Sequence, residues 1–261
     1  MSGNRKRVGL VLGGGSVRGT AHLGVIEVLE RGGIHPDCVV GTSVGALIGA
    51  LYCGGLPVKR MQEMARHLNW LKLLRPAWPG LGLFSTRGME KLIVQFIGDR
   101  NLEDLEIPFA AVATDIVKEE MVVLRKGRAA KAVQASCAVP GIFVPQEIEG
   151  RLLVDGGLLN NLPVSVARQM GAEYVIAVDL IPEKPQTRQE PQSIMDMILF
   201  TIYMVMRHNR DEAGEADCLI RPAIGDFSWA RLSRGESLIQ RGREAAEAAI
   251  SQIKMELGFP S

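Results

Sequence analysis

A serine stands between two glycines in the segment Gly41-Thr42-Ser43-Val44-Gly45, and this segment constrains the fold more than any other feature. The apolar run Cys38-Val39-Val40 before it predicts a buried strand, and Ala46 to Tyr52 after it predicts a helix. A sharp turn from strand to helix needs flanking residues without bulk. The turn presents the serine hydroxyl at a helix N-terminus, where the dipole favours developing negative charge. The pattern therefore predicts a nucleophile elbow at Ser43; the alternative is a glycine-rich turn that a serine merely caps.

A second glycine-rich turn, Gly13-Gly14-Gly15-Ser16-Val17-Arg18-Gly19, directly follows the apolar run from Val8 to Leu12. Successive glycines let the backbone approach a ligand and aim several N–H groups at one point. In an acyl hydrolase or transferase these amides would hold the oxyanion of the tetrahedral intermediate. A dinucleotide loop is the competing interpretation, but its G-x-G-x-x-G fingerprint fails because Arg18 occupies the sixth position from Gly13. Asp37 lies near the distance expected for the ribose-binding acid.

The third motif is Asp155-Gly156-Gly157, which follows the apolar run Leu152-Leu153-Val154. An aspartate at a strand end before two glycines is an unobstructed carboxylate, although Asp-Gly is also a common turn dipeptide. Together the three motifs place a nucleophile, a base and oxyanion donors at strand C-terminal ends, where open α/β sheets build their sites.

A Ser-His-Asp triad would need a histidine after the aspartate, near the end of the chain. The four histidines are His22, His35, His67 and His208, and none after Asp155 lies in a short glycine-flanked turn. His22 begins the first predicted helix and is expected to be a structural side chain beside the glycine turn. The sequence therefore predicts a dyad in which Asp155 takes the Ser43 proton directly. Because an ordinary Asp pKa of about 3.9 makes a weak base, desolvation and a strong oxyanion hole must compensate.

These motifs resemble those of the patatin-like phospholipase family, in particular its compact bacterial members, which are similar to the catalytic domain of neuropathy target esterase. Further matches are Ala138-Val139-Pro140-Gly141-Ile142-Phe143, Asn161-Leu162-Pro163-Val164 and Ile220-Arg221-Pro222. The resemblance covers the chain from about Val8 to the final helix. One departure is Ser16, where relatives often carry glycine or alanine.

The resemblance implies a three-layer α/β/α fold with a mostly parallel central sheet, as a single domain over residues 1–261. It implies hydrolysis of phospholipid or lysophospholipid esters without a metal or cofactor, with Ser43 as nucleophile and Asp155 as its partner. The oxyanion hole would comprise Gly13, Gly14, Gly15 and Arg18, with Arg18 holding the loop or the substrate phosphate. An acyltransferase or thioesterase with the same dyad, or a non-catalytic lipid-binding protein, are the alternatives.

The amino-acid composition limits the classes of partner that we expect for this chain. Thirty basic and twenty-nine acidic side chains give a net charge of +1, which disfavours nucleic acid as a partner. No apolar stretch reaches the ~20 residues of a bilayer span, and we expect a cytoplasmic protein, peripheral to a membrane at most. Four cysteines without a C-x-x-C pair or zinc-ligand spacing predict free thiols. Oligomeric state, headgroup and acyl position have no signature in these residues.

Two apolar segments are candidates for lipid contact. Leu68 to Ser85 is predicted to be a long loop, and its Trp70 to Phe84 portion is a candidate interfacial lid or, equally, side chains packed on the domain. Ile194 to Met206 is methionine-rich and lies in a helix predicted over residues 193–212. It is expected to be a core helix, with an acyl-chain wall or partner surface as the alternative.

Overall fold

The computed structural model describes residues 5–67, 75–77, 80–184, 190–209, 211–224 and 235–259. Within them the strands are β1 Val8–Leu12, β2 Cys38–Thr42, β3 Arg75–Pro76, β4 Gly82–Ser85, β5 Phe109–Asp115, β6 Glu120–Leu124, β7 Gly141–Phe143, β8 Gln146–Ile148, β9 Arg151–Asp155, β10 Tyr174–Val178 and β11 Cys218–Ile220. The helices are α1 Ala21–Arg31, α2 Val44–Cys53, α3 Val58–His67, α4 Arg87–Ile97, α5 Ala129–Ser136, α6 Val164–Gln169, α7 Ile194–His208 and α8 Gly235–Glu256.

The described strands form an eight-stranded central sheet in the order β11-β10-β1-β2-β5-β9-β8, with β6 also paired to β5. The five strands from β11 to β5 are mutually parallel, whereas β9 and β6 both run antiparallel to β5. Strand β1 is central and buried, as its run of valine and leucine predicts. The sheet is therefore mostly parallel, with an antiparallel extension at one side.

Helices cover both faces of this sheet, which gives three layers. Along β1, Leu10 and Leu12 point into the larger core, where α1, α2 and α8 pack, while Val11 points into the core beneath α6. This alternation is the two-residue period of a strand that is buried on both sides. The α/β/α architecture expected from the sequence is confirmed.

The segment predicted to be one long loop from Leu68 to Ser85 contains strands instead. Strand β4 pairs in parallel with β7, placing Phe84 opposite Phe143, and β3 pairs antiparallel with β4. The loop interpretation was wrong here because β7 lies about 60 residues away in sequence, and pairing at that distance leaves no local pattern. Residues 70–74 and 78–79 of the candidate lid, which include Trp70 and Trp78, lie outside the described residues.

Strands β1 and β2 and helix α2 form where the sequence predicts them, whereas the helix predicted over residues 193–212 is shorter than expected. The helix expected to continue to Glu212 ends at His208, and a 3₁₀ turn over Asp211–Glu215 follows it. All four cysteines are buried free thiols, as predicted. No helix among the described residues has both the length and the apolar content that crossing a bilayer requires.

Candidate active site

Ser43 lies between the last residue of β2 and the first residue of α2, with backbone dihedrals φ 54° and ψ −125°. Such a conformation is strained for a residue other than glycine. Both flanking positions require glycine because other parts of the backbone lie too close to leave room for a Cβ atom. A Cβ at Gly45 would lie 2.0 Å from the Leu12 carbonyl oxygen, and one at Gly41 would lie 2.5 Å from the Ala46 Cα. The turn of the predicted elbow is thus closed too tightly for side chains at either position.

Two small residues at the end of α5 hold the Ser43 backbone in place. The Ser43 N–H donates to Ser136 Oγ over 2.9 Å, and the Ser136 hydroxyl donates in turn to the Val112 carbonyl over 2.6 Å. The Cys137 thiol lies 3.0 Å from the Ser43 carbonyl oxygen. Ser136 and Cys137 did not emerge as site residues from the sequence. The only hint was their position directly before the matched segment that begins at Ala138.

Asp155 reaches Ser43 from an antiparallel strand. It is the last residue of β9 and pairs with Ala113 of β5, whose neighbour Val112 pairs with Thr42 on the other side. The prediction that all three motifs lie at ends of strands holds. However, β9 arrives from the opposite direction, since it runs antiparallel to β5. The aspartate is completely buried, and its Oδ1 accepts a hydrogen bond from the Gly157 N–H over 2.9 Å.

The Asp155 carboxyl has a strongly perturbed pKa. Burial raises its pKa to about 6, although hydrogen bonds from the Ser43 side chain and the Gly157 N–H oppose the rise. The Ser43 side chain is therefore close enough to influence the carboxyl directly. Within the described residues, Asp155 Oδ2 has no hydrogen bond of ordinary geometry. The structure thus brings Ser43 and Asp155 together, with Oδ1 anchored by the Gly157 N–H and the Ser43 side chain beside the carboxyl.

The first glycine turn lies against the serine. A Cβ at Gly14 would be 3.2 Å from the Ser43 Cβ. The Gly13 N–H extends the sheet by donating to the Val178 carbonyl over 3.1 Å, and the Gly14 N–H donates to Asn161 Oδ1 over 3.2 Å. For the Gly15 N–H, the described residues supply no acceptor. Among the three predicted donors, Gly15 therefore has its amide hydrogen available.

The buried side chain of Arg18 packs beside the first glycine turn. Its Nη1 donates to the Leu180 carbonyl over 3.2 Å, and its guanidinium carbon lies 4.6 Å from the centre of the Tyr203 ring. The Tyr203 hydroxyl also approaches the Gly15 carbonyl oxygen at 3.4 Å. Of the two roles that the resemblance implied for Arg18, its position favours holding the loop over contacting a substrate phosphate.

His22 packs beneath the same turn, as expected for a structural side chain. It is completely buried, and its Nε2 lies 2.8 Å from the Gly13 carbonyl oxygen. Burial lowers its pKa to about 4, which keeps the ring neutral near pH 7. The neutral ring donates from Nε2 to Gly13 and so braces the glycine turn.

Asn161 also lies beside the candidate site. The sequence placed it in a matched segment but did not single it out as a site residue. It is completely buried, and its Oδ1 lies against Gly14 and Gly157 at once, since a Cβ at these two glycines would be 2.6 and 3.0 Å from it. Its Nδ2 has no hydrogen-bond partner among the described residues. Those residues also contain no cluster of His, Cys, Asp and Glu that could hold a metal ion.

Comparison with known proteins places this arrangement in a family. The profile of the patatin-like phospholipases matches residues 10–168. Patatin-like phospholipase domain-containing protein 6 of Homo sapiens is 39% identical over 183 residues, which is 66% of this chain and 13% of the human protein. An uncharacterised NTE family protein of Mycobacterium tuberculosis is 36% identical over 183 residues, which is 67% of this chain and 49% of that protein.

The structural comparison agrees at the level of fold. VipD from Legionella pneumophila superposes with a TM-score of 0.66 at 15% sequence identity, covering 96% of this chain and 68% of VipD. In the sequence comparison, the matched region is only a small part of the human relative and about half of the mycobacterial one. Since the family profile spans more than half of the sequence and includes all three motifs, the chain belongs to the patatin-like phospholipase family.

Proposed function

We propose that the protein is a serine acyl hydrolase that cleaves carboxylic esters of phospholipids or lysophospholipids, with Ser43 as nucleophile and Asp155 as general base. The observation that carries the proposal is the meeting of the two side chains, with a completely buried Asp155 carboxyl whose pKa burial raises to about 6. Membership of a family of phospholipases, and relatives named phospholipase and esterase, support the lipid ester as substrate.

The first half-reaction follows from this arrangement. Ser43 Oγ attacks the ester carbonyl carbon while its proton passes to Asp155 Oδ2, the oxygen that has no partner within the described residues. The carbonyl becomes an oxyanion beside the first glycine turn, where the Gly15 N–H is available and the α2 N-terminus adds its dipole. Collapse breaks the bond to the leaving alcohol, which takes the proton from Asp155. An acyl-enzyme on Ser43 remains.

The second half-reaction uses the same groups in reverse. Asp155 removes a proton from water, the resulting hydroxide attacks the acyl carbonyl, and Ser43 leaves with the proton that Asp155 returns. A pKa of about 6 suits both directions, because the carboxylate is ionised at pH 7 and yet is a stronger base than an ordinary aspartate. Neutral His22, bonded to Gly13, takes no part in proton transfer in this scheme.

Labelling and turnover together test the proposal. We expect a fluorophosphonate probe to label the wild type, and Ser43→Ala to abolish both labelling and ester turnover. Ser251→Ala, an exposed serine on α8, is the matched control and should leave both unchanged. Asp155→Asn should lower turnover by about a thousandfold or more, as loss of a triad member does elsewhere, while Asp104→Asn at an exposed site should have no effect.

A substrate panel separates the alternatives. Phosphatidylcholine, lysophosphatidylcholine, triacylglycerol and an acyl thioester are compared, with and without an added alcohol acceptor. Free fatty acid from the phospholipids supports hydrolysis. Acyl transfer to the alcohol in preference to water would replace the hydrolase with an acyltransferase, and preferential thioester cleavage would indicate a thioesterase. Turnover that persists in Ser43→Ala would refute the dyad.

A further inference from the structure

Helix α7 has an unusual outer face. Its inner positions Leu199, Ile202, Tyr203 and Met206 are buried in a small apolar cluster. Large apolar side chains also recur on the outer side at helical spacing, with exposures of 81% for Ile194, 55% for Met197, 39% for Phe200 and 53% for Met204. We call these four residues the outer stripe. Thr201 is exposed beside them, and the one charged residue of α7 between Ile194 and Met204 is Asp196, whose carboxylate accepts a hydrogen bond from the Ser193 hydroxyl at the helix N-terminus.

Helix α8 shows the ordinary arrangement for comparison. Its exposed positions include Glu236, Arg241, Glu244 and Glu247, and Met255 is its one large apolar side chain with high exposure, at 72%. A single exposed apolar residue is normal on a globular protein, whereas a continuous patch marks a contact surface. The outer stripe of α7 is of the second kind.

The inner face of α7 contacts both turns of the candidate active site. The Tyr203 hydroxyl approaches the Gly15 carbonyl oxygen at 3.4 Å, and Met206 packs so closely on Gly157 that a Cβ there would lie 2.4 Å from the Met206 Cε. Helix α7 therefore carries the outer stripe on one side. With its other side it contacts the first glycine turn at Gly15 and the Asp155-Gly156-Gly157 turn at Gly157. Whatever binds the stripe lies one helix diameter from these turns.

We propose that the outer stripe is a docking surface for the headgroup and upper acyl region of a zwitterionic phospholipid membrane, in which α7 lies parallel to the surface. The inference rests on the proposed function, because an enzyme acting on an aggregated lipid must hold its site at the lipid surface. An interfacial helix buries one apolar face to a depth of about 5–10 Å. At 15 residues α7 is about 22 Å long, too short to span a bilayer.

The size and charge of the stripe favour a membrane over a second protein copy. A strip about 22 Å by 10 Å covers only about 220 Å², whereas a stable interface needs about 800 Å² from each partner. The four stripe residues carry no charge, and the charged or titratable side chains of α7 lie in its end turns, Asp196 in the first and Arg207 and His208 in the last. Binding driven by apolar burial alone should depend little on salt or on anionic lipid.

Vesicle co-sedimentation of the full chain tests this. All variants carry Ser43→Ala, so that binding is measured without lipid turnover. We expect binding to phosphatidylcholine vesicles that changes less than twofold when 30% phosphatidylserine or 0.5 M NaCl is added. Met197→Glu with Phe200→Glu should weaken partitioning roughly a hundredfold, the value of two buried apolar side chains. Met255→Glu, on α8, is the matched control and should bind like the parent.

Activity assays keep this inference separable from the proposed function. In the Ser43-containing enzyme, Met197→Glu with Phe200→Glu should lower turnover of phosphatidylcholine vesicles at least about tenfold and leave turnover of a water-soluble monomeric ester within twofold. Vesicle binding without any ester turnover would refute the hydrolase and leave the docking surface standing. Equal partitioning of the double variant and the Met255→Glu control would overturn the docking surface. The docking surface would also be overturned if the parent protein sedimented as a dimer and the double variant as a monomer in sedimentation velocity.

Discussion

Asn161 Oδ1 accepts a hydrogen bond from the Gly14 N–H over 3.2 Å, across a separation of 147 residues. This bond ties the glycine turn after β1 to the turn that follows Asp155. Both ends are fully buried, and the N–H of Gly14 fixes which end of the amide is the oxygen, since two donors cannot face each other. Asn161 is therefore a direct link between the first glycine turn and the turn that carries Asp155.

Replacing Asn161 should consequently affect catalysis more than folding. We expect Asn161→Ala to lower kcat about tenfold to a hundredfold with little change in KM, because small displacements of reacting groups are costly. Asn161→Asp keeps the acceptor and should recover part of the loss. Its added negative charge near Asp155 should raise the Asp155 pKa and move the acid limb of the pH profile upward. Wild-type kcat in Asn161→Ala would remove the residue from the site.

The pH dependence of turnover should report Asp155. Because a general base must be ionised, kcat/KM should fall tenfold per pH unit below a midpoint near pH 6, the raised pKa of this carboxyl. His22 adds no limb between pH 5 and 8, since burial lowers its pKa to about 4. A profile with its midpoint near 4, the value of an unperturbed carboxyl, would contradict this assignment.

Stability should change with pH in the opposite sense to activity. The Asp155 pKa is about 6 in the folded protein and 3.8 without burial, so the folded state binds more protons between these values. Its free energy of unfolding therefore decreases as pH rises from about 4 to 6 and stays lower above that. Asp155→Asn removes the buried charge and should stabilise the fold at pH 7 by up to about 3 kcal/mol while abolishing turnover. Urea unfolding at pH 5 and pH 7 measures this difference, which should shrink at pH 5.

Much of this architecture was predictable because its signals are local. The glycine turn, the serine elbow and the Asp-Gly-Gly turn each follow a short apolar run, and the periods of β1, β2 and α2 emerge within a few residues. The meeting of Ser43 and Asp155 was also expected, although the antiparallel direction of β9 was not. Nothing within its five residues distinguishes β9 from a parallel strand.

The unpredicted parts depend on distant partners. Strands β4 and β7 stabilise each other across about 60 residues, and the residues that begin their pairing, Gly82 and Gly141, resemble loop glycines in the sequence. Ser136 and Asn161 each accept a hydrogen bond from a backbone N–H, at positions 93 and 147 residues away. A serine at a helix end and an asparagine in a turn are ordinary locally, so their roles arise only in the folded chain.

The strained backbone of Ser43 gives a prediction about stability alone. At φ 54° and ψ −125° a Cβ is unfavourable, and such strain costs about 1–3 kcal/mol. Ser43→Gly and Ser43→Ala both remove the hydroxyl, but only glycine relieves the backbone, against an entropic cost of about 0.5–1 kcal/mol. Ser43→Gly should therefore be more stable than Ser43→Ala by about 1 kcal/mol in chemical denaturation. Equal stability of the two variants would show that the turn holds serine without strain.

The contact between α1 and α8 should be the most sensitive helix pair to added bulk. A Cβ at Gly24 of α1 would lie 2.0 Å from the Ile239 carbonyl oxygen of α8, and one at Gly242 of α8 would lie 2.0 Å from the Ala21 carbonyl oxygen. Because backbone is the obstacle, neither helix can make room by changing a rotamer. We expect Gly24→Ala to destabilise the protein by about 2 kcal/mol despite the ~1 kcal/mol gain in helix propensity. This lowers Tm by about 4–8 °C. The matched control is Gly214→Ala, where a Cβ meets nothing within 4 Å, and its Tm should stay within about 1 °C of wild type. If both variants melt together with the wild type, the two helices are not in backbone contact in solution.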